Sequence, residues 1–224
     1  MVDLQEQHET VVVVAGGPGD GPGRRPPTIA IPARAPIIAA DSGIDRALAL
    51  GLHVDLAVGD FDSVSAAGLE AVRAAGARIE RHPAEKDATD LELALDAALV
   101  FGPRRILVVG SDAGRLDHLL STLLLLGSAR FAGCEVDAVL GSATAHVIRG
   151  ERLLSGDPGE LISLFALHGP AAGVTTEGLL YPLRGEALEP GSSRGVSNVF
   201  ASPEARIELE HGVLLAVRPE RSTK

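Results

Sequence analysis

Short apolar runs recur through the first two thirds of the chain, at 10–15, 37–40, 56–58, 106–109 and 136–140. Most of them alternate with Ala/Leu-rich segments at 43–51, 65–75, 88–100 and 116–130. Within 88–100, Leu91, Leu95 and Ala98 fall at helical spacing, while Glu92 and Asp96 lie off that stripe. Alternation of this kind predicts parallel strands covered by helices. Beyond about residue 145 helical periodicity disappears. Short strand-like runs (Ala145–Ile148, Leu161–Ala166, Arg206–Glu210, Val213–Arg218) are separated by Gly, Pro and Ser. The expected fold class is therefore α/β: a parallel-sheet domain over 1–144, then a smaller β-sandwich domain over 145–224.

A chain of 224 residues, 46% of them hydrophobic, is large enough to build a sizeable core. The formal net charge of −10 argues against nucleic acid as a partner. The single cysteine, Cys134, excludes an internal disulfide and fits a reducing cytoplasm. Its apolar surroundings read as packing. The acidic start of the chain reads as disordered. The runs Val11–Val14 and 119–126 are too short to span a membrane. A cytoplasmic protein without membrane association is expected. The segment 16–36, with GGPGDGPGRRPP at 16–27, reads as a surface loop, since it lacks the Lys-Ser/Thr ending of a phosphate-binding P-loop.

Four polar clusters sit where strands hand over to helices, the edge at which open α/β sheets bind ligands. Asp41-Ser42-Gly43 follows one apolar run and Gly59-Asp60-Phe61-Asp62-Ser63 another. In an extended segment Asp60 and Asp62 point to one face, and the pair is costly unless a cation such as Mg²⁺ neutralises it. The alternative is a solvated turn. Lys86-Asp87-Ala88-Thr89-Asp90 opens a helical stretch in which Asp87 and Asp90, three apart, share a side. That segment is either a phosphate site with Lys86 offsetting charge, or a plain acidic cap. Arg115, Asp117 and His118 follow the run at 106–109. Arg115 suits bidentate phosphate binding, and the alternative is a salt-bridged turn. His118 suits orienting a carboxylate or a substrate hydroxyl, or a buried structural role. Carboxylates with a few cations form the inventory of metal-assisted phosphoryl transfer, and this inventory does not name the acceptor.

The order and spacing of these segments resemble the thiamine pyrophosphokinase family. The motifs are ADSG at 40–43, GDFDS at 59–63, EKDATDLE at 85–92, GRLDH at 114–118, TTEGLLYPL at 175–183 and GVSN at 195–198. The resemblance implies an ATP- and Mg²⁺-binding catalytic α/β half, a thiamine-binding and dimerising β-sandwich half, and a homodimer. It implies a pyrophosphoryl group passed from ATP to the hydroxyl of thiamine, with AMP leaving. By motif, Asp60, Asp62 and Asp90 would hold the metal and be catalytic together with Arg115. Asp41 and Asp87 would support that site. Lys86 and Arg115 would meet the phosphates, with Asp117 and His118 beside them. Ser197 and Asn198 would hydrogen-bond the aminopyrimidine, the alternative being a turn that bonds its own backbone. The chain has no tryptophan, so the thiazolium would stack on Tyr181, a Phe or an apolar side chain. Thr122 and Val199 stand where the family often has Asn and Glu. Two rival readings remain: a related pyrophosphokinase acting on another alcohol of the hydroxymethylpterin type, and a nucleotide-binding regulator without catalysis.

Overall fold

The computed structural model describes residues 9–17 and 30–219. Most of the glycine-rich loop and the first eight residues lie outside that range. The chain divides into two compact units, 1–122 with 136–141, and 123–135 with 142–224.

The first unit is a sheet of order β6-β5-β1-β2-β3-β4. Its strands are β1 (Thr10–Ala15), β2 (Ile37–Ala40), β3 (Leu56–Gly59), β4 (Arg78–Arg81), β5 (Arg105–Gly110) and β6 (Glu135–Leu140). The pairs β1–β2, β2–β3, β3–β4 and β1–β5 are parallel. Val11 to Val14 are fully buried, as a strand covered on both faces requires. Helices α1 (Gly43–Ala49), α2 (Ala66–Ala74) and α3 (Asp90–Leu99) connect the strands, and α4 (Leu116–Leu126) follows β5. Thr89 caps α3, its Oγ1 accepting the Glu92 N–H at 3.2 Å. Strand order reverses between β1 and β5, so the loops after β1, β2, β3 and β5 open at one carboxyl edge.

In the second unit two antiparallel sheets enclose an apolar core. One has the order β12-β9-β14-β7 and the other β11-β10-β13-β8. Their strands are β7 (Ala143–Ile148), β8 (Glu151–Ser155), β9 (Leu161–Ala166), β10 (Ala171–Glu177), β11 (Arg184–Leu188), β12 (Asn198–Val199), β13 (Glu204–Glu208) and β14 (Leu214–Arg218). Ile162, Leu164, Leu188, Phe200 and Ile207 fill the space between the sheets. The α/β class with a β-sandwich half is thus as the sequence predicts.

Candidate active site

β3 delivers Gly59 to the carboxyl edge, but the chain does not stay extended beyond it. Phe61 has φ 62 and is buried, with its ring in the core of the first unit. Simple alternation therefore does not bring Asp60 and Asp62 together. A left-handed turn does, by sending Phe61 inward and leaving the carboxylates outside. The Asp62 N–H donates to Asp60 Oδ1 at 3.1 Å, and Ser63 Oγ donates to Asp62 Oδ1 at 2.7 Å. Asp41, just past β2, is also left-handed at φ 46, and its N–H donates to the Val58 carbonyl at 2.9 Å. Asp41, Asp60 and Asp62 each offer a carboxylate oxygen, all within 4.8 Å of one another.

Asp90 joins them from the first turn of α3. Its Oδ1 and the Oδ2 of Asp60 each lie 3.1 Å from Lys86 Nζ, which also donates to the Pro83 carbonyl at 3.1 Å. Burial works against the Lys86 charge, but Asp90 and Asp60 more than offset it and raise its pKa above the ordinary 10.5. The Asp62 backbone N–H, then Lys86, hold Asp60 below its ordinary 3.8. Asp41 moves the other way. Burial pushes its carboxyl above 3.8 against the opposing Ser42 backbone N–H, and the charges of Asp90, Asp60 and Asp62 push further. Asp41 Oδ1 is buried and, among the described residues, accepts no hydrogen bond. Clustered carboxylates with an orphaned buried oxygen fit a hard divalent cation such as Mg²⁺.

Arg81 completes this corner, and the sequence reading missed it. Its guanidinium lies 4.9 Å from the centroid of the Phe61 ring, and Nη1 donates to the Asp60 carbonyl at 2.5 Å. It stands at the end of β4, opposite Gly59 in the strand register. No motif marks it. Only its place beside a strand-end carboxylate could have drawn attention.

Other candidate residues fall differently. α3 begins at Asp90, so Asp87 lies in the exposed turn before it and the helical i, i+3 argument does not apply. Arg115 and Asp117 are exposed and form a two-point ion pair at 3.2 and 2.6 Å. This pairing raises Arg115 and holds Asp117 down at about 2. The salt-bridged turn is therefore what the structure contains. His118 is exposed on α4, which removes the reading of a buried structural histidine.

The second unit carries a cavity of about 460 Å³ lined by Tyr181, residues 192–196, Ser197 and Asn198. Ser197 is left-handed at φ 58, and its N–H donates to Ser163 Oγ at 3.0 Å. Gly195, at φ 108, packs against β9, where a Cβ would stand 2.8 Å from the Leu164 carbonyl oxygen. Asn198 is 3% exposed. Its Oδ1 accepts from the N–H groups of Tyr181 and Val199 at 3.0 and 2.9 Å, and Nδ2 donates to the Tyr181 carbonyl at 2.8 Å. The amide expected to face an aminopyrimidine is thus turned onto the main chain of another loop. Arg194 makes a two-point ion pair with Glu186 at 2.8 and 2.8 Å.

Comparison with known proteins accounts for both units. The family model of the thiamin pyrophosphokinase catalytic domain matches residues 31–137. That of the thiamin pyrophosphokinase vitamin B1 binding domain matches residues 145–214. The chain belongs to the thiamine pyrophosphokinase family. It is 28% identical over 183 residues to the thiamine pyrophosphokinase of Bacillus subtilis, covering 81% of this chain and 86% of that protein. The crystal structure of the Bacillus subtilis thiamine pyrophosphokinase superimposes with a TM-score of 0.80 at 26% identity, covering 95% of this chain and 99% of the other. A thiamin pyrophosphokinase family protein from Enterococcus faecalis gives 0.79 at 28% identity, covering 96% and 100%. Thiamin pyrophosphokinase from Candida albicans, 15% identical with a TM-score of 0.72 and coverage of 94% and 90%, shares the fold. For a thiamine pyrophosphokinase, the two match ranges coincide with the carboxylate cluster and with the Tyr181 cavity.

Proposed function

We propose that this enzyme transfers a pyrophosphoryl group from ATP to the hydroxyl of thiamine, giving thiamine diphosphate and AMP. The observation that carries the reading is the Asp41–Asp60–Asp62 cluster, whose Asp41 Oδ1 has no hydrogen-bond partner among the described residues, beside the ammonium of Lys86. Such a site suits a divalent cation and a polyphosphate together. Asp41, Asp60 and Asp62 would hold Mg²⁺, with Asp90 adjoining, and the bound ion would neutralise phosphate charge as it develops.

The chain's own residues carry the rest. Lys86 supplies a fixed cation to the transferring phosphates, and Arg115 adds a second once it exchanges Asp117 for phosphate. The carboxyl edge at the β1/β5 reversal supports nucleotide binding there. In the second unit, Tyr181 offers an aromatic face to the cationic thiazolium, and Ser197 lines the same cavity. Residues 1–144 would then bind ATP and Mg²⁺, and 145–224 would bind thiamine.

A homodimer is supported by α4, where Leu116, Leu120 and Leu124 recur every four residues and are 77%, 55% and 41% exposed. No described helix is long and apolar enough to cross a membrane. The single cysteine and the ATP substrate support a cytoplasmic location.

Incubation of the protein with ATP, Mg²⁺ and thiamine, followed by chromatography, should yield AMP and thiamine diphosphate in equal amounts. ADP as the main product, or turnover of a hydroxymethylpterin but not of thiamine, would overturn the proposal.

A further inference from the structure

The carboxamide of Asn198 presents to Tyr181 the donor and acceptor pair that a neighbouring strand residue would present. Oδ1 takes the Tyr181 N–H at 3.0 Å and Nδ2 reaches the Tyr181 carbonyl at 2.8 Å. On either side, other groups anchor the same loop. The Leu180 N–H donates to the Val199 carbonyl at 2.9 Å, and the Ala201 N–H to the Gly178 carbonyl at 2.8 Å. The Leu183 N–H reaches Thr176 Oγ1 at 2.9 Å, and Thr176 is itself buried. Pro182 follows Tyr181 and has no N–H to offer. Both main-chain groups of Tyr181 are thus taken up by one buried side chain, while the residue as a whole is 56% exposed and lines the cavity.

We infer that Asn198 is a positioning residue: by clamping the main chain of Tyr181 it fixes that ring as the wall on which a flat cationic acceptor stacks. This rests on thiamine as the proposed acceptor. The division of labour follows from the atoms available. The Asn198 oxygen already accepts two hydrogen bonds, and one of its two amide hydrogens is committed. The Tyr181 ring offers an open aromatic face, which attracts a cation only where it is held in place. A ring ordered before binding loses less freedom when the acceptor arrives, so the clamp acts on acceptor affinity.

The chain contains one tyrosine and no tryptophan, so its tyrosine fluorescence reports Tyr181 alone. Asn198→Ala should lower the fluorescence anisotropy of Tyr181 without any substrate present. It should raise the KM for thiamine about tenfold or more and leave the KM for ATP within about twofold. Tyr181→Ala should raise the thiamine KM by a similar factor. In the double variant Asn198→Ala should then add no more than about twofold, because its effect passes through the ring. A full additional loss in the Tyr181→Ala background would mean that Asn198 touches the acceptor directly, and would overturn the inference. Unchanged anisotropy in Asn198→Ala would overturn it as well. The anisotropy measurement uses no substrate, so it tests the clamp itself, whereas a wild-type protein that ignores thiamine would sink the proposed acceptor. If Asn198→Ala does not fold, Asn198→Asp takes its place. It keeps the volume and both accepted N–H groups but loses the donor to the Tyr181 carbonyl, and the same shifts in the same directions are expected.

Discussion

A side chain on Gly59 would begin 3.2 Å from Asp90 Oδ1, and equally close to Asp41 Cα and Cβ. The missing Cβ is what lets the start of α3 and the end of β2 close over β3. Gly59 also has φ 152, a conformation that favours glycine. Gly59→Ala should therefore lose about 1–3 kcal/mol of stability, from backbone strain and from pushing back the Asp41 backbone. Urea denaturation reads the stability. Calorimetric titration with Mg²⁺ or Mn²⁺ should show the cation affinity lost along with it.

Asp62 is exposed, and its known partners are Ser63 and the turn itself. Asp62→Asn should leave the fold intact, with stability changed by less than about 1 kcal/mol. Turnover should fall by about a hundredfold or more, because a compact octahedral cation loses a charged ligand. Near-normal rates at saturating Mg²⁺ would remove Asp62 from the metal set.

Asp41 and Asp60 shift in opposite directions. The Asp41 carboxyl lies above the ordinary 3.8, first through burial and then through Asp90, Asp60 and Asp62. The folded state thus binds the proton more tightly than the unfolded state. Its contribution to stability is present below 3.8 and is lost as pH rises through the folded value. At neutral pH the charge is a liability that a cation removes. Asp41→Asn should raise the melting temperature in chelator at pH 7. It should also abolish most of the further rise that Mg²⁺ gives the wild type. An unaltered Mg²⁺ response in the variant would show that the ion sits elsewhere.

The strands of the first unit were legible where they are apolar throughout. The runs 10–15 and 37–40 are β1 and β2 to the residue. β4 was not legible, because Arg78 and Arg81 are exposed at its ends and only Ile79 is apolar. In the second unit β10 and β11 escaped notice because Gly173 and Gly185, at φ 68 and 69, interrupt them, and their pairing shifts register. Asp41, Asp60 and Asp90 could be read as strand-end and helix-start carboxylates. The left-handed turn at Phe61 could not, since what holds it is the capture of the Phe61 ring by the tertiary core, which no local sequence signal announces. Asn198 shows the same limit. Its donor and acceptor are plain in the sequence, but which backbone they satisfy is decided by a loop 17 residues away.

The leucines of α4 give a prediction about assembly. Leu120, 55% exposed between Leu116 and Leu124, is the centre of the stripe. Leu120→Glu should turn a dimer into a species of 23.1 kDa by light scattering, because a charge in an apolar interface is left unpaired. A wild-type mass of 23.1 kDa at micromolar concentration would dispose of the dimer altogether.

Arg81 touches the site through the turn that carries Asp60. Its planar guanidinium does two things at once, lying over the Phe61 ring and donating to the Asp60 carbonyl. Arg81→Ala should loosen the turn between Asp60 and Asp62 without removing a carboxylate. The cation dissociation constant should rise by about tenfold, while Asp62→Asn shows a greater loss. Arg81→Lys should restore little, since an ammonium cannot stack on the ring and reach the carbonyl in the same fork geometry. Calorimetric titration with Mn²⁺ separates the cases. Full rescue by lysine would mean that Arg81 acts through its charge, and an unchanged affinity in Arg81→Ala would mean that the buried Phe61 ring holds the turn alone.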